Sequence, residues 1–152
     1  MKAAIVYVST HHGNTKKAAE AAAAGHDAVL INALQAEGVS LEEYDLIGFA
    51  SGIAFGKYYP QMLSFMEKNL PEGKKVFFMH TAGAPGEGQC AAAKAIADAR
   101  RCECLGVFCC RGFDTFGPFK LVGGIAKGHP DADDLKAAAE FYAGIEEKAE
   151  RD

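Results

Sequence analysis

Five short hydrophobic runs divide the chain, at Ala3–Val8, Ala28–Ile31, Tyr44–Ala50, Lys75–His80 and Cys104–Cys110. Each is too short for a typical helix, and several are apolar without alternation, as in strands covered on both faces. Between them, Asn14–Ala24, Tyr58–Leu70 and Gln89–Arg100 read as helices, and a last helix follows at Asp133–Lys148. Tyr59, Met62, Leu63, Met66 and Leu70 recur at helical spacing, as do Leu135, Ala138, Ala139, Tyr142, Ile145 and Ala149. Both stripes are assigned to packing against a sheet. Asp131 or Asp133, following Pro130, is placed to cap the last helix. The stretch from Asn32 to Glu43 has little apolar period and contains Gly38, so its helix is one or two turns or absent. The alternation predicts an α/β fold with a parallel, doubly wound sheet of five strands.

Composition narrows the class. With 152 residues, 49% hydrophobic and 24% charged, the chain suits one globular domain spanning 1–152 and argues against disorder or a fibrous repeat. Gly, Lys, Glu or Asp interrupts every apolar stretch before the roughly 18 residues a membrane span requires. Met1–Val8 imitates a signal peptide, but it runs straight into Ser9-Thr10-His11-His12 and reads better as a buried first strand. A net charge of -4, without a basic stripe, removes the electrostatic case for nucleic acid.

The five cysteines, Cys90, Cys102, Cys104, Cys109 and Cys110, are odd in number and crowded into the C-terminal half, which suggests reduced thiols and a cytoplasmic protein. Cys102/Cys104 and Cys109/Cys110 lie on or beside a predicted strand, where neighbours point to opposite faces, so a tetrahedral metal site is disfavoured.

In open α/β sheets, ligands bind beyond the carboxyl ends of the strands, where the winding reverses. Three segments should meet there: Ser9–Thr15, Ser51–Lys57 and Thr81–Gly88. The first, Ser9-Thr10-His11-His12-Gly13-Asn14-Thr15, is a hydroxyl-rich turn feeding a helix, a seat for a phosphate. It lacks the lysine of a P-loop and the three-glycine spacing of a dinucleotide fingerprint, so a monophosphate fits better. Lys16 and Lys17 oppose the helix dipole unless an anion sits nearby. The second segment, Ser51-Gly52-Ile53-Ala54-Phe55-Gly56-Lys57, suits a loop covering a flat ring. The third, Thr81-Ala82-Gly83-Ala84-Pro85-Gly86-Glu87-Gly88, has no aromatic residue, so backbone contacts should dominate, with Tyr58, Tyr59 or Phe113 as possible substitutes. The late stretch Arg111–Lys120 with Gly123-Gly124 either borders the pocket, contacts a partner through Arg111, Lys120 and Lys127, or is an ordinary packed loop.

The run Ile5–Thr15 resembles the first strand and FMN-phosphate loop of flavodoxins, with Thr10, Gly13 and Thr15 on the family pattern and His12 where a hydroxyl is usual. Tyr44–Gly52 and Lys75–Gly83 are similar to the family's third and fourth strands and their flavin loops. The resemblance implies a flavodoxin-like sheet of order 2-1-3-4-5 and non-covalent FMN held by residues of the three segments: Ser9, Thr10, His11, His12, Gly13, Asn14 and Thr15; Ser51, Gly52, Ile53, Ala54, Phe55 and Gly56; and Thr81, Ala82, Gly83 and Ala84. It further implies a carrier of low-potential electrons between redox partner proteins, a donor reductase and an acceptor enzyme, with no catalytic side chain of its own. Gly52 or Gly56 would ease the peptide turn that flavodoxins make on reduction, and Glu87 and Asp114 are candidates for lowering the potential. The rivals are a flavodoxin-like NAD(P)H or quinone oxidoreductase, and a flavin-free binding or signalling module of the same fold.

Overall fold

The computed structural model describes residues 1–113 and 123–151, with the backbone alone at His11. The sheet has five principal parallel strands: β1 (Ala3–Val8), β2 (Ala28–Asn32), β3 (Leu46–Ala54), β5 (Lys75–Ala82) and β6 (Glu103–Arg111), in spatial order β2-β1-β3-β5-β6. Counting these five in chain order, the arrangement is the expected 2-1-3-4-5. A two-residue strand, β4 (Lys57–Tyr58), pairs antiparallel with the end of β3.

The helices are α1 (Asn14–Ala23), α2 (Pro60–Asn69), α3 (Ala91–Ala99) and α4 (Ala132–Glu150). Both faces of the sheet are covered. Val6, Ile47, Phe49, Val76 and Phe78 pack on one side with Met62 and Met66 of α2 and Ala93 and Ala97 of α3. Ile5, Leu46, Phe77 and Met79 pack on the other with Ala18, Ala19 and Ala22 of α1 and Tyr142 and Ile145 of α4. Two-sided burial is why β1 is apolar at every position.

Asp131 caps α4: its carboxylate accepts from the Asp134 N–H at 2.9 Å, while Asp134 accepts from the Asp131 N–H at 2.8 Å. Asn32 to Glu43 forms a single 3₁₀ turn at Ala33–Gln35, as its weak periodicity allows.

Several boundaries shift by a few residues from the sequence reading, and two of the shifts reshape the second loop of the site. Tyr44 and Asp45 precede β3, which instead runs on through Ser51–Ala54, because the ladder to β5 continues as far as Gly52↔Thr81. Tyr58 belongs to β4, and α2 starts at Pro60, whose fixed φ and absent N–H suit the first helical turn. The expected loop Ser51–Lys57 is thus a hairpin: Ala54 pairs with Lys57 across Phe55 (φ 54) and Gly56 (φ 75). Positive φ at both central residues defines a type I′ turn, whose twist matches the strands it joins.

Candidate functional site

The carboxyl ends of β1, β3, β5 and β6 enclose a small cavity lined by Ser9, Thr10, Asn14, Thr15, Gly52, Ile53, Tyr59, Thr81, Ala82, Gly112 and Phe113. The β1–α1 turn supplies its polar wall. Its 3₁₀ turn, His11–Gly13, holds His12 (φ 60) and Gly13 (φ 68) in succession in the left-handed region, which glycine tolerates freely and other residues seldom adopt. That backbone brings the start of α1 back over β1, where the Lys16 N–H donates to Ser9 Oγ at 3.1 Å. The Ser9 hydroxyl proton is left to serve another acceptor. The Thr10 side chain makes no capping bond.

Thr15 and Thr81 join their hydroxyls at 2.8 Å inside the site. Only one of the two protons lies between them, so the pair keeps a proton to donate outward. Asn14 Nδ2 donates to the Phe113 carbonyl at 2.9 Å and ties the end of β6 to α1. None of the lining side chains is charged.

Glycine creates room at two points. A Cβ on Gly112 would lie 2.7 Å from Asn14 Nδ2, and one on Gly52 would lie 2.5 Å from the Tyr59 hydroxyl. Tyr59 is held over Gly52 by its N–H, which donates to Ser51 Oγ at 3.0 Å; Ser51 in turn donates to the Gly52 carbonyl at 2.7 Å.

Of the residues expected at the site, the cavity gathers Ser9, Thr10, Asn14, Thr15, Gly52, Ile53, Thr81 and Ala82. Gly13 shapes the turn without lining the cavity, and the His12 ring lies tilted against Phe113 with centroids 4.5 Å apart. Ser51 is buried in β3, and Ala54, Phe55 and Gly56 lie in the hairpin beyond the cavity. Gly83 and Ala84 follow the end of β5 and do not line it. Lys16 and Lys17 are exposed on α1. Asp114, Phe116, Phe119 and Lys120 lie outside the described residues. Gly112 and Phe113 belong to the late stretch expected either to border the pocket, to contact a partner or to pack as an ordinary loop, and they line the cavity; Tyr59, named only as a substitute aromatic, lines it too. Tyr58, the third substitute, is buried against Phe78 and His80 instead.

All five cysteines are free thiols. Burial raises the Cys90 and Cys109 thiols and pushes Cys110 up to about 12. Among the described residues, the one group close enough to share a cation is His129, Asp131 and Asp134. The two aspartates there already form the cap of α4, and His129 Nδ1 lies 2.6 Å from Asp134 Oδ2.

The comparisons agree with this architecture. A flavodoxin-domain family model matches residues 5–106, and the chain belongs to the flavodoxin family. A relative from Methanocaldococcus jannaschii, itself an uncharacterized protein, is 43% identical over 148 residues, covering 95% of this chain and 98% of the relative. Two solved structures share the fold. One is a flavodoxin from the domain Archaea, with TM-score 0.72 and 22% identity, covering 99% of both chains. The other is a WrbA-like flavodoxin protein from Agrobacterium tumefaciens, with TM-score 0.72 and 17% identity, covering 99% of this chain and 98% of that one.

The donor set suits a phosphate monoester: hydroxyls and N–H groups at a helix start, with no carboxylate among the lining residues. The space is tight. The cavity proper is about 20 Å³ and opens to solvent on one side, so its interior is small for a flavin ring.

Proposed function

We propose that this protein binds FMN without a covalent bond and passes electrons one at a time between partner proteins, a donor reductase and an acceptor enzyme. The observation that carries the reading is the convergence of Ser9, Thr10, Asn14 and Thr15 with Gly52, Ile53, Thr81 and Ala82 at the carboxyl ends of β1, β3 and β5. A bound flavin would supply the redox chemistry, and the chain would supply binding and electrostatics.

The phosphate end would be held by Ser9, Thr10 and Thr15 hydroxyls and by N–H groups of the turn. Hydrogen-bond donors, rather than lysines, would offset its charge. The ring would lie beside Gly52, Ile53, Thr81 and Ala82, with Tyr59 and Phe113 as the neighbouring aromatics. Phe113 would have to give way to the ring, because the cavity it lines is small. In the β3–β4 hairpin, Gly56 has the left-handed φ, whereas Gly52 is locked in the ladder opposite Thr81. Free thiols at all five cysteines support a reducing, cytoplasmic setting.

Titration of the purified protein with FMN tests the reading. Quenching of flavin fluorescence at one equivalent, with slow bleaching by NADPH alone and fast electron exchange with a reductase, is expected. Unquenched flavin fluorescence refutes cofactor binding, and rapid bleaching by NADPH alone identifies an oxidoreductase instead.

A further inference from the structure

His80, near the carboxyl end of β5, is 0% exposed, yet both of its ring nitrogens are engaged. Nε2 lies 2.7 Å from the Gly86 carbonyl oxygen, and Nδ1 lies 3.0 Å from the Tyr58 hydroxyl. Tyr58 Oη is also 3.1 Å from the Met79 carbonyl. The ring thus joins β5 to β4 on one side, and on the other closes the segment that begins with Thr81 and Ala82 of the cavity wall.

Proton counting defines what this chain of bonds can do. A carbonyl only accepts, so Nε2 carries a proton. In the neutral ring Nδ1 then holds a lone pair, and the single Tyr58 proton serves either Nδ1 or the Met79 carbonyl. A second ring proton would sit on Nδ1 and donate to Tyr58 Oη, while Tyr58 donates to Met79. Every donor then has an acceptor, and no heavy atom need move.

The surrounding groups leave His80 as the titrating member. Facing it are Tyr58 from β4, Glu87 from the turn before α3 and, across the ladder, Cys109 from β6, while Cys90, Cys104 and Cys109 surround its partner Tyr58. Burial raises Tyr58, Cys90 and Cys109, which keeps them neutral near pH 7. Burial lowers His80, opposed by the Gly86 carbonyl and Glu87. The neutral ring is therefore the resting form at neutral pH, and added negative charge nearby moves it toward protonation.

We propose that His80 is a positioning residue of the flavin site: it fastens the segment after β5 through the Gly86 carbonyl and takes up a proton at Nδ1 when negative charge is added to the site. The coupling rests on the flavin reading, whereas the anchor does not. A flavin reduced by a donor protein would supply that negative charge, and the proton taken up at Nδ1 would come from hydronium in solvent, whose O–H bond breaks as the N–H bond forms, so that the added charge is partly neutralised.

Imidazole nitrogen NMR of ¹⁵N-labelled protein separates the two parts. Without flavin, His80 is expected as the Nε2–H tautomer with a midpoint below that of ordinary histidine; an Nδ1–H tautomer overturns the anchor. In protein loaded with FMN, reduction by dithionite is expected to shift the midpoint upward; an unmoved midpoint overturns the coupling. Tyr58→Phe removes the acceptor for the second proton and is expected to lower the His80 midpoint further, an effect that mere packing would not produce. An unchanged midpoint in that variant removes Tyr58 from the proton chain and overturns the mechanism. If FMN fails to bind while the Nε2–H tautomer persists, the flavin reading and the coupling fall, and the anchor stands.

Discussion

The hydroxyls of Thr15 and Thr81, 66 residues apart in the chain, meet at 2.8 Å in the buried floor of the site. This contact joins the first turn of α1 to the end of β5, so two walls of the cavity share one hydrogen bond. Thr15→Val leaves the Thr81 hydroxyl buried and unpaired, at an expected cost of about 1–3 kcal/mol in urea unfolding. Thr15→Val/Thr81→Val removes both polar partners and should recover much of that loss. FMN affinity should stay low in the double variant, separating the role in stability from the role in binding.

Phe113 lines the cavity, and its ring lies tilted against that of His12 with centroids 4.5 Å apart. Phe113→Ala is expected to speed FMN association, measured by stopped-flow fluorescence, because the ring no longer has to displace an aromatic partner. Unfolding free energy should change little, since Phe113 is only half-buried. An unaltered association rate would mean that flavin enters by another route.

Two glycines of β3 make a contrasting pair. A Cβ on Gly48 would meet the Phe77 ring in the core at 2.2 Å, whereas one on Gly52 would meet Tyr59 at the site. Gly48→Ala should destabilise the fold by about 1–3 kcal/mol through overpacking. Gly52→Ala should chiefly displace Tyr59 and alter flavin affinity. Thermal melts and flavin titrations of the two variants read these effects separately.

His80 makes stability depend on pH. Its proton affinity is lower in the folded chain than in the unfolded one, so the unfolded state binds more protons as pH falls. The full contribution is present above about pH 6.5 and declines as pH drops through that value toward the folded midpoint. His80→Gln keeps a donor for Gly86 without titrating. Urea unfolding between pH 5 and 8 should therefore show a shallower slope for this variant.

Asp131 at the start of α4 offers a test away from the site. Asp131→Ala breaks the reciprocal cap with Asp134 and should cost about 1 kcal/mol. Burial works upward on the Asp134 carboxyl, but His129 and the Asp131 N–H outweigh it and hold the group below the ordinary carboxylate range. The Asp134 contribution is thus complete above about pH 3.9 and is lost as pH falls through its depressed midpoint.

Much of this fold could be read locally. The all-apolar run Ala3–Val8 could only be a strand buried on two faces, and the paired clusters around Val6 and Ile5 bear that out. The hydroxyls of Ser9–Thr15 likewise marked in advance the turn that forms the polar wall of the cavity. What stayed hidden was settled over long sequence distance. Phe55-Gly56 is not a strong hairpin signal, so β4 and the continuation of β3 depend on pairing with Thr81 and Tyr58 that no local pattern records. Phe113 reaches the cavity because Asn14, 99 residues earlier, holds its carbonyl. His80 looked like the polar end of an apolar run, and its role depends on Gly86 and Tyr58 meeting it from opposite directions.

The two-residue link between β3 and β4 leaves Phe55 at its tip, 89% exposed and fixed by a backbone with no slack. Most exposed side chains on long loops lose conformational entropy when another molecule settles on them. Here the main chain beneath the ring has already given up that freedom during folding, so a protein that docked on this face would meet a preformed stud instead of a strap that must first be stilled.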